Sequence, residues 1–125
     1  MDRSIEIDIN QNCIVEASAG CGKTYLLMKR FMSILESNKL NLSFQLSRIL
    51  CITFTEKATA EIKERVHQSV VDKAKEESSP YWNKLRKELH FINIYTIHGL
   101  SAKIIRDHSE LLGLKGDFSV MNSIE

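Results

Sequence analysis

Apolar positions along the chain fall into two alternating patterns. Three runs are short and nearly continuous: residues 12–16 (NCIVE), 48–54 (RILCITF) and 91–95 (FINIY). Continuous β-branched runs of that length predict parallel strands covered on both faces. Between them the period lengthens to that of a helix. Residues 23–37 place Leu27, Phe31, Ile34 and Leu35 on one face. Residues 55–77 place Ala58, Ile62, Val66 and Val70 at fourfold spacing, with Lys57, Glu61, Lys63, Glu64 and Arg65 turned outward. Ser79-Pro80 predicts a further helix start, since proline suits the first turn, with Trp82, Leu85 and Leu89 on its inner side. A last helix is expected from about His98 to Leu112, stopping at Gly113. The polar stretch 76–79 reads as a turn.

Strands alternating with helices predict right-handed βαβ units and a doubly wound parallel sheet, an α/β fold. Ligands of such sheets bind at the carboxyl ends of the strands. The length, 125 residues, suits one domain. The composition, 43% hydrophobic and 26% charged, is that of an ordinary globular protein. The net charge of +1 does not announce a nucleic-acid binder, but a local groove needs no basic total. No apolar run approaches the roughly 18 residues of a membrane span, and the first residues do not read as a signal peptide, so a cytoplasmic protein is expected. Cys13, Cys21 and Cys51 lack metal-ligand spacing and read as reduced thiols.

The strongest chemical signal is residues 17–24, ASAGCGKT, between the first strand and the first helix. Gly20 and Gly22 let backbone N–H groups converge on one anion. The helix that follows points its positive end at the same place. Lys23 adds a full charge for the outer phosphates, and Thr24 offers a hydroxyl to Mg²⁺. Ala17, Ser18, Ala19, Gly20, Cys21, Gly22, Lys23 and Thr24 therefore form a candidate cradle for ATP. Ala17 stands where the general phosphate-loop pattern has glycine.

That departure points to a family. VEASAGCGKT resembles the (A/G)xAG(S/T)GKT form of UvrD- and RecB-like superfamily 1 DNA helicases, with Cys21 in place of a hydroxyl residue. Residues 53–66, TFTEKATAEIKERV, resemble their motif Ia. Residues 94–108, IYTIHGLSAKIIRDH, resemble their TIHGF motif, with Leu100 for phenylalanine. The three occur in the family's order, each beginning at a predicted strand end.

The resemblance implies the N-terminal part of a RecA-like P-loop motor domain spanning residues 1–125. It implies ATP and Mg²⁺ as cofactors, with Lys23 and Thr24 catalytic, and single-stranded DNA crossing the ends of the second and third strands. A helicase–nuclease of the RecB/AddA type, acting in DNA repair or recombination, is the nearest kind. Thr53, Thr55 and Thr96 suit phosphate contacts, and Thr55 and Thr96 also read as helix N-caps. Phe54 reads equally as core packing or as a base-stacking residue. His98 taken alone reads as a turn histidine; the TIHG string favours DNA contact. Gln11, ahead of the first strand, stands near where such helicases read adenine, and a plain loop residue is the alternative.

The family's Walker B acidic pair has no match after position 98. Its arginine fingers belong to later motifs, and lacking one alone costs about 10³–10⁵ in rate. The chain therefore reads as part of a longer protein, needing the remaining helicase domains and unable to turn over ATP alone. A non-hydrolysing nucleotide- or DNA-binding module from a truncated reading frame is the alternative.

Overall fold

The computed structural model of the protein describes residues 8–16 and 22–113. In chain order it contains α1 (Lys23–Ser37), β1 (Leu50–Thr53), α2 (Glu56–Glu77), α3 (Pro80–Glu88), β2 (Asn93–Thr96) and α4 (Ile97–Asp107). Short 3₁₀ turns occur at Leu46–Arg48, Leu89–Phe91 and Ser109–Leu112. β1 and β2 pair in parallel, from Leu50 opposite Asn93 to Thr53 opposite Thr96. A parallel pair needs a crossover, and α2 with α3 supplies it.

The helix boundaries follow from local chemistry. Thr55 opens α2 by accepting a hydrogen bond from the Ala58 N–H at 3.1 Å. Ser78 ends α2 in the left-handed region, φ 47°. Ser79 is extended and caps α3 through the Trp82 N–H at 3.2 Å, with Pro80 in the first turn. Two serines thus reverse the chain between the two helices.

The core lies where α2 meets α1 and α3. Ile62, Val66 and Val70 of α2 are at most 2% exposed, packed among Phe31, Leu35, Tyr81, Trp82, Leu85 and Ile94. Each such side chain contributes roughly 1.5–3 kcal/mol of transfer free energy. The Tyr81 and Trp82 rings meet edge to face at 5.2 Å and 73°. Their polar tips are satisfied: Trp82 Nε1 donates to Glu77 Oε2 at 2.8 Å, and Tyr81 Oη donates to the Leu35 carbonyl at 2.6 Å. Burial first, then the nearby Glu36 and Glu88 carboxylates, push the Tyr81 phenol up to about 12. Lys84 bonds the Phe44 carbonyl and Glu88 accepts from the Leu46 N–H, which fastens the connection before β1 to α3.

Several expectations need correction. Residues 12–16 form no strand in the described structure, and Ile14 is 95% exposed. β-branched composition favours a strand only where a neighbouring ladder exists; here the Asp8 and Gln11 carbonyls accept from Arg30 instead. The strand expected at 91–95 runs Asn93–Thr96, because residues 89–91 tighten into a 3₁₀ turn that leaves Phe91 exposed. β1 is not covered on both faces by the described residues: Cys51 and Thr53 are buried while Leu50 and Ile52 are about half exposed. Burial raises the Cys51 thiol above its usual range. Leu27, expected inside, is also exposed, and only the later turns of α1 reach the core. The last helix ends at Asp107, and a 3₁₀ turn carries the chain to Gly113, φ 67°.

Candidate nucleotide and DNA site

Of the predicted phosphate cradle, Ala17, Ser18, Ala19, Gly20 and Cys21 lie outside the described residues. The rest form the mouth of α1. Gly22 precedes the helix at φ 80°, ψ 24°, a left-handed conformation that a side chain would strain, and it has open space around it. Lys23 begins the helix and is exposed, and Thr24 is half-buried beside it. α2, α3 and α4 each carry a side-chain cap, whereas α1 has none. Its first-turn N–H groups therefore have no side-chain acceptor among the described residues, and the helix's positive end adds to the Lys23 charge. These residues fit an anionic ligand such as the phosphates of a nucleotide.

Gln11 is exposed, and its own carbonyl accepts from Arg30 Nη2 at 2.7 Å. Arg30 also donates from Nη1 to the Asp8 carbonyl at 3.1 Å and meets Cys13 Sγ at 3.3 Å. A cavity of about 400 Å³ opens between this segment and α1, lined by Cys13, Val15, Lys23, Leu26, Leu27 and Arg30.

The second and third motifs meet at one edge. Parallel pairing brings Thr53 opposite Thr96, so Thr53–Thr55 and Thr96–His98 leave the sheet side by side at its carboxyl end. The side chains divide sharply. Thr53 is 8% exposed; its hydroxyl lies 2.6 Å from the Thr59 hydroxyl and donates to the Thr55 carbonyl at 3.2 Å. The Thr55 hydroxyl is engaged as the cap of α2. Thr96, 6% exposed, caps α4 by accepting from the Gly99 N–H at 2.9 Å and donates to Glu56 Oε1 at 3.3 Å. A Cβ on Gly99 would sit 3.1 Å from that same hydroxyl, so the glycine of TIHG leaves room for the cap. Phe54, by contrast, is 90% exposed, which disposes of core packing, and His98 is exposed as well.

Three contributors were not singled out from the sequence. Thr59 and Glu56 hold the hydroxyls of this edge, and Arg30 holds the segment around Gln11. Thr59 carried a readable signal, three residues before Ile62 on the inner face of α2. Arg30 carried none, because its partners are backbone carbonyls.

The sequence from residue 2 to 125 matches the model of the UvrD/REP helicase N-terminal domain. The chain belongs to that family. Similar curated proteins include a large subunit named for ATP-dependent helicase/nuclease activity from Syntrophomonas wolfei, 30% identical over 93% of this chain and 9% of that protein. Its namesakes from Pediococcus pentosaceus and Clostridium acetobutylicum are 32% and 34% identical, over 91% and 93% of this chain. The helicase segment thus spans about 9% of the length of these relatives. It is an α/β segment with a small parallel sheet, and no helix among its described residues is long and apolar enough to cross a membrane.

Proposed function

We propose that residues 1–125 form the N-terminal part of a RecA-like motor domain that binds ATP and contacts single-stranded DNA. The parent protein would be a helicase–nuclease of the kind its relatives are named for, coupling ATP hydrolysis to translocation or unwinding together with the remaining helicase domains. One observation carries the reading: the motif Ia and TIHG segments leave adjacent parallel strands side by side, with Thr53 opposite Thr96. The uncapped start of α1 beside Lys23 supports the nucleotide half.

In this reading Ala17 to Gly22 surround the phosphates with backbone N–H groups, Lys23 neutralises their charge, and Thr24 offers its hydroxyl to Mg²⁺. Mg²⁺, when bound, supplies charge stabilisation for the transferring phosphoryl group. Gln11 reads the base. At the sheet edge the internally bonded hydroxyls of Thr53, Thr55 and Thr96 fix the two segment starts. Phe54 and His98 present exposed rings to bases, and backbone amides serve phosphates, so the DNA contact is independent of sequence.

Thermal melting with and without Mg-ATP tests the nucleotide half. At one hundred times the dissociation constant, binding adds about 2.7 kcal/mol, a rise in Tm of roughly ten degrees for a domain of this size. Lys23→Ala removes the rise. Identical melting of wild type and Lys23→Ala in millimolar Mg-ATP would refute the cradle. Lacking a Walker B pair in its sequence, the chain alone releases phosphate at background rate. DNA-stimulated release that vanishes in Lys23→Ala would overturn that part.

A further inference from the structure

The segment ahead of the phosphate loop is held in an unusual way. Residues 11–16 are exposed and join no strand, and none of them belongs to the buried core. Locally, the Asp8 carboxylate accepts from both the backbone N–H and the side-chain amide of Asn10, at 3.0 and 3.1 Å. At long range, a single guanidinium on α1 reaches three places in the segment: the Asp8 carbonyl, the Gln11 carbonyl and the Cys13 sulfur. The shortest of these contacts, 2.7 Å, is to the peptide of Gln11 itself. The Gln11 backbone is thus pinned to the helix that begins with Gly22, Lys23 and Thr24, while its side chain stays exposed.

We infer that Arg30 is a positioning residue for base recognition, setting the Gln11 amide at a fixed distance from the phosphate-binding end of α1. This rests on the nucleotide-binding reading above. Arg30 lies seven residues after Lys23 on the same helix, roughly 10 Å along its axis. Phosphates at the helix mouth and a glutamine tied two turns down are therefore placed by one rigid element. A glutamine amide can accept from the adenine N6 amino group while donating to N7. Guanine presents an O6 acceptor in place of that amino group, so the glutamine oxygen would face another acceptor. The discrimination depends on where the amide is held, and the planar fork of arginine, serving several acceptors at once, holds it as a lysine could not. A purely stabilising role fits poorly, because the tethered residues bury almost nothing.

The test measures binding of Mg-ATP, Mg-GTP and Mg-tripolyphosphate to the full chain by calorimetry, for wild type, Arg30→Met, Arg30→Lys and Gln11→Ala. Wild type should favour ATP over GTP by about tenfold, the worth of one or two hydrogen bonds. Arg30→Met should bring that ratio close to one, Arg30→Lys should recover it only in part, and tripolyphosphate affinity should stay unchanged in all variants. Arg30→Met combined with Gln11→Ala should be no worse than Gln11→Ala alone, since both remove the same recognition. An ATP preference that survives Arg30→Met, or additive losses in the double variant, would overturn the inference and leave the cradle standing. Equal weakening of ATP and tripolyphosphate in Arg30→Met would mark a structural role and overturn it too. Wild type that binds tripolyphosphate but treats ATP and GTP alike would refute base reading and Arg30 positioning together. Wild type that binds neither would sink the nucleotide-binding reading itself.

Discussion

Two aromatic residues mark the poles of this molecule. Trp82 has no exposed surface and is ringed by Val66, Val70, Leu85 and their neighbours, with its one polar atom bonded to Glu77. Phe54 is 90% exposed at the carboxyl edge of the sheet, between two threonines whose hydroxyls are engaged inside. The same contrast runs through whole elements. α2 and α3 spend their apolar faces on each other and on α1, whereas the ends of β1 and β2 fix their backbone by hydroxyl bonds and leave rings outside. Residue type does not separate the two regions; placement does. Stability and ligand contact therefore draw on different residues and can be perturbed separately.

The largest break in that contrast is Trp82→Ala. It should remove about 3–5 kcal/mol of stability, a large share of the 5–15 kcal/mol typical of a domain. Urea denaturation followed by circular dichroism measures it, and a loss under about 1 kcal/mol would show that this ring does not anchor α3.

Next comes alkaline sensitivity. The Tyr81 phenol titrates higher when folded, about 12 against 10.0, so the folded state holds that proton more tightly. Its contribution is complete below pH 10 and fades as pH rises through 12. Wild type should then lose roughly 2–3 kcal/mol more than Tyr81→Phe across that window. At neutral pH Tyr81→Phe should cost about 1 kcal/mol for the lost bond to Leu35. Parallel stability curves for the two proteins between pH 9 and 12 would remove Tyr81 from the account.

Smaller effects belong to the sheet edge. Thr55→Ala and Thr96→Ala should each cost about 1 kcal/mol through their caps, read from shifts in the denaturation midpoint. Smallest of all in stability is Phe54→Ala, within about 0.5 kcal/mol of wild type. Its affinity for single-stranded oligonucleotides of mixed sequence should nevertheless fall by roughly 1–3 kcal/mol, measured by fluorescence anisotropy. A variant that unfolds, or one that binds unchanged, would blur the division between the two regions.

Legibility followed local chemistry. α1 and the Ser79-Pro80 start of α3 were visible because capping and fourfold apolar spacing are written in neighbouring residues. The caps at Thr55 and Thr96 were visible for the same reason. What failed depended on distant partners. NCIVE has strand composition, yet with Arg30 taking its upstream carbonyls no ladder forms there among the described residues. RILCITF looked buried on both faces, but only α2 covers it here, so Leu50 and Ile52 stay half open. Phe54 could be assigned from its residue type to the core or the surface, and only its place after the last paired residue of β1 decided. The hydroxyl contact between Thr53 and Thr59 was illegible for a similar reason, since it needs a strand end and a helix turn to meet.

The parallel ladder has a consequence for the order of assembly. β1 leaves the ribosome well before β2, and its hydrogen-bonding edge toward β2 stays unpaired until α2 and α3 have been made. The two helices are joined by only two serines and can associate early, because short-range closure costs little chain entropy. The ladder joins residues far apart in sequence, so it should close last and be the slow step of folding. Substitutions at the α2–α3 contact would then slow folding, while Ile94 substitutions would mainly speed unfolding. The nascent chain meanwhile carries one unsatisfied strand, and its half-exposed Leu50 and Ile52 make that interval the one most open to misassociation.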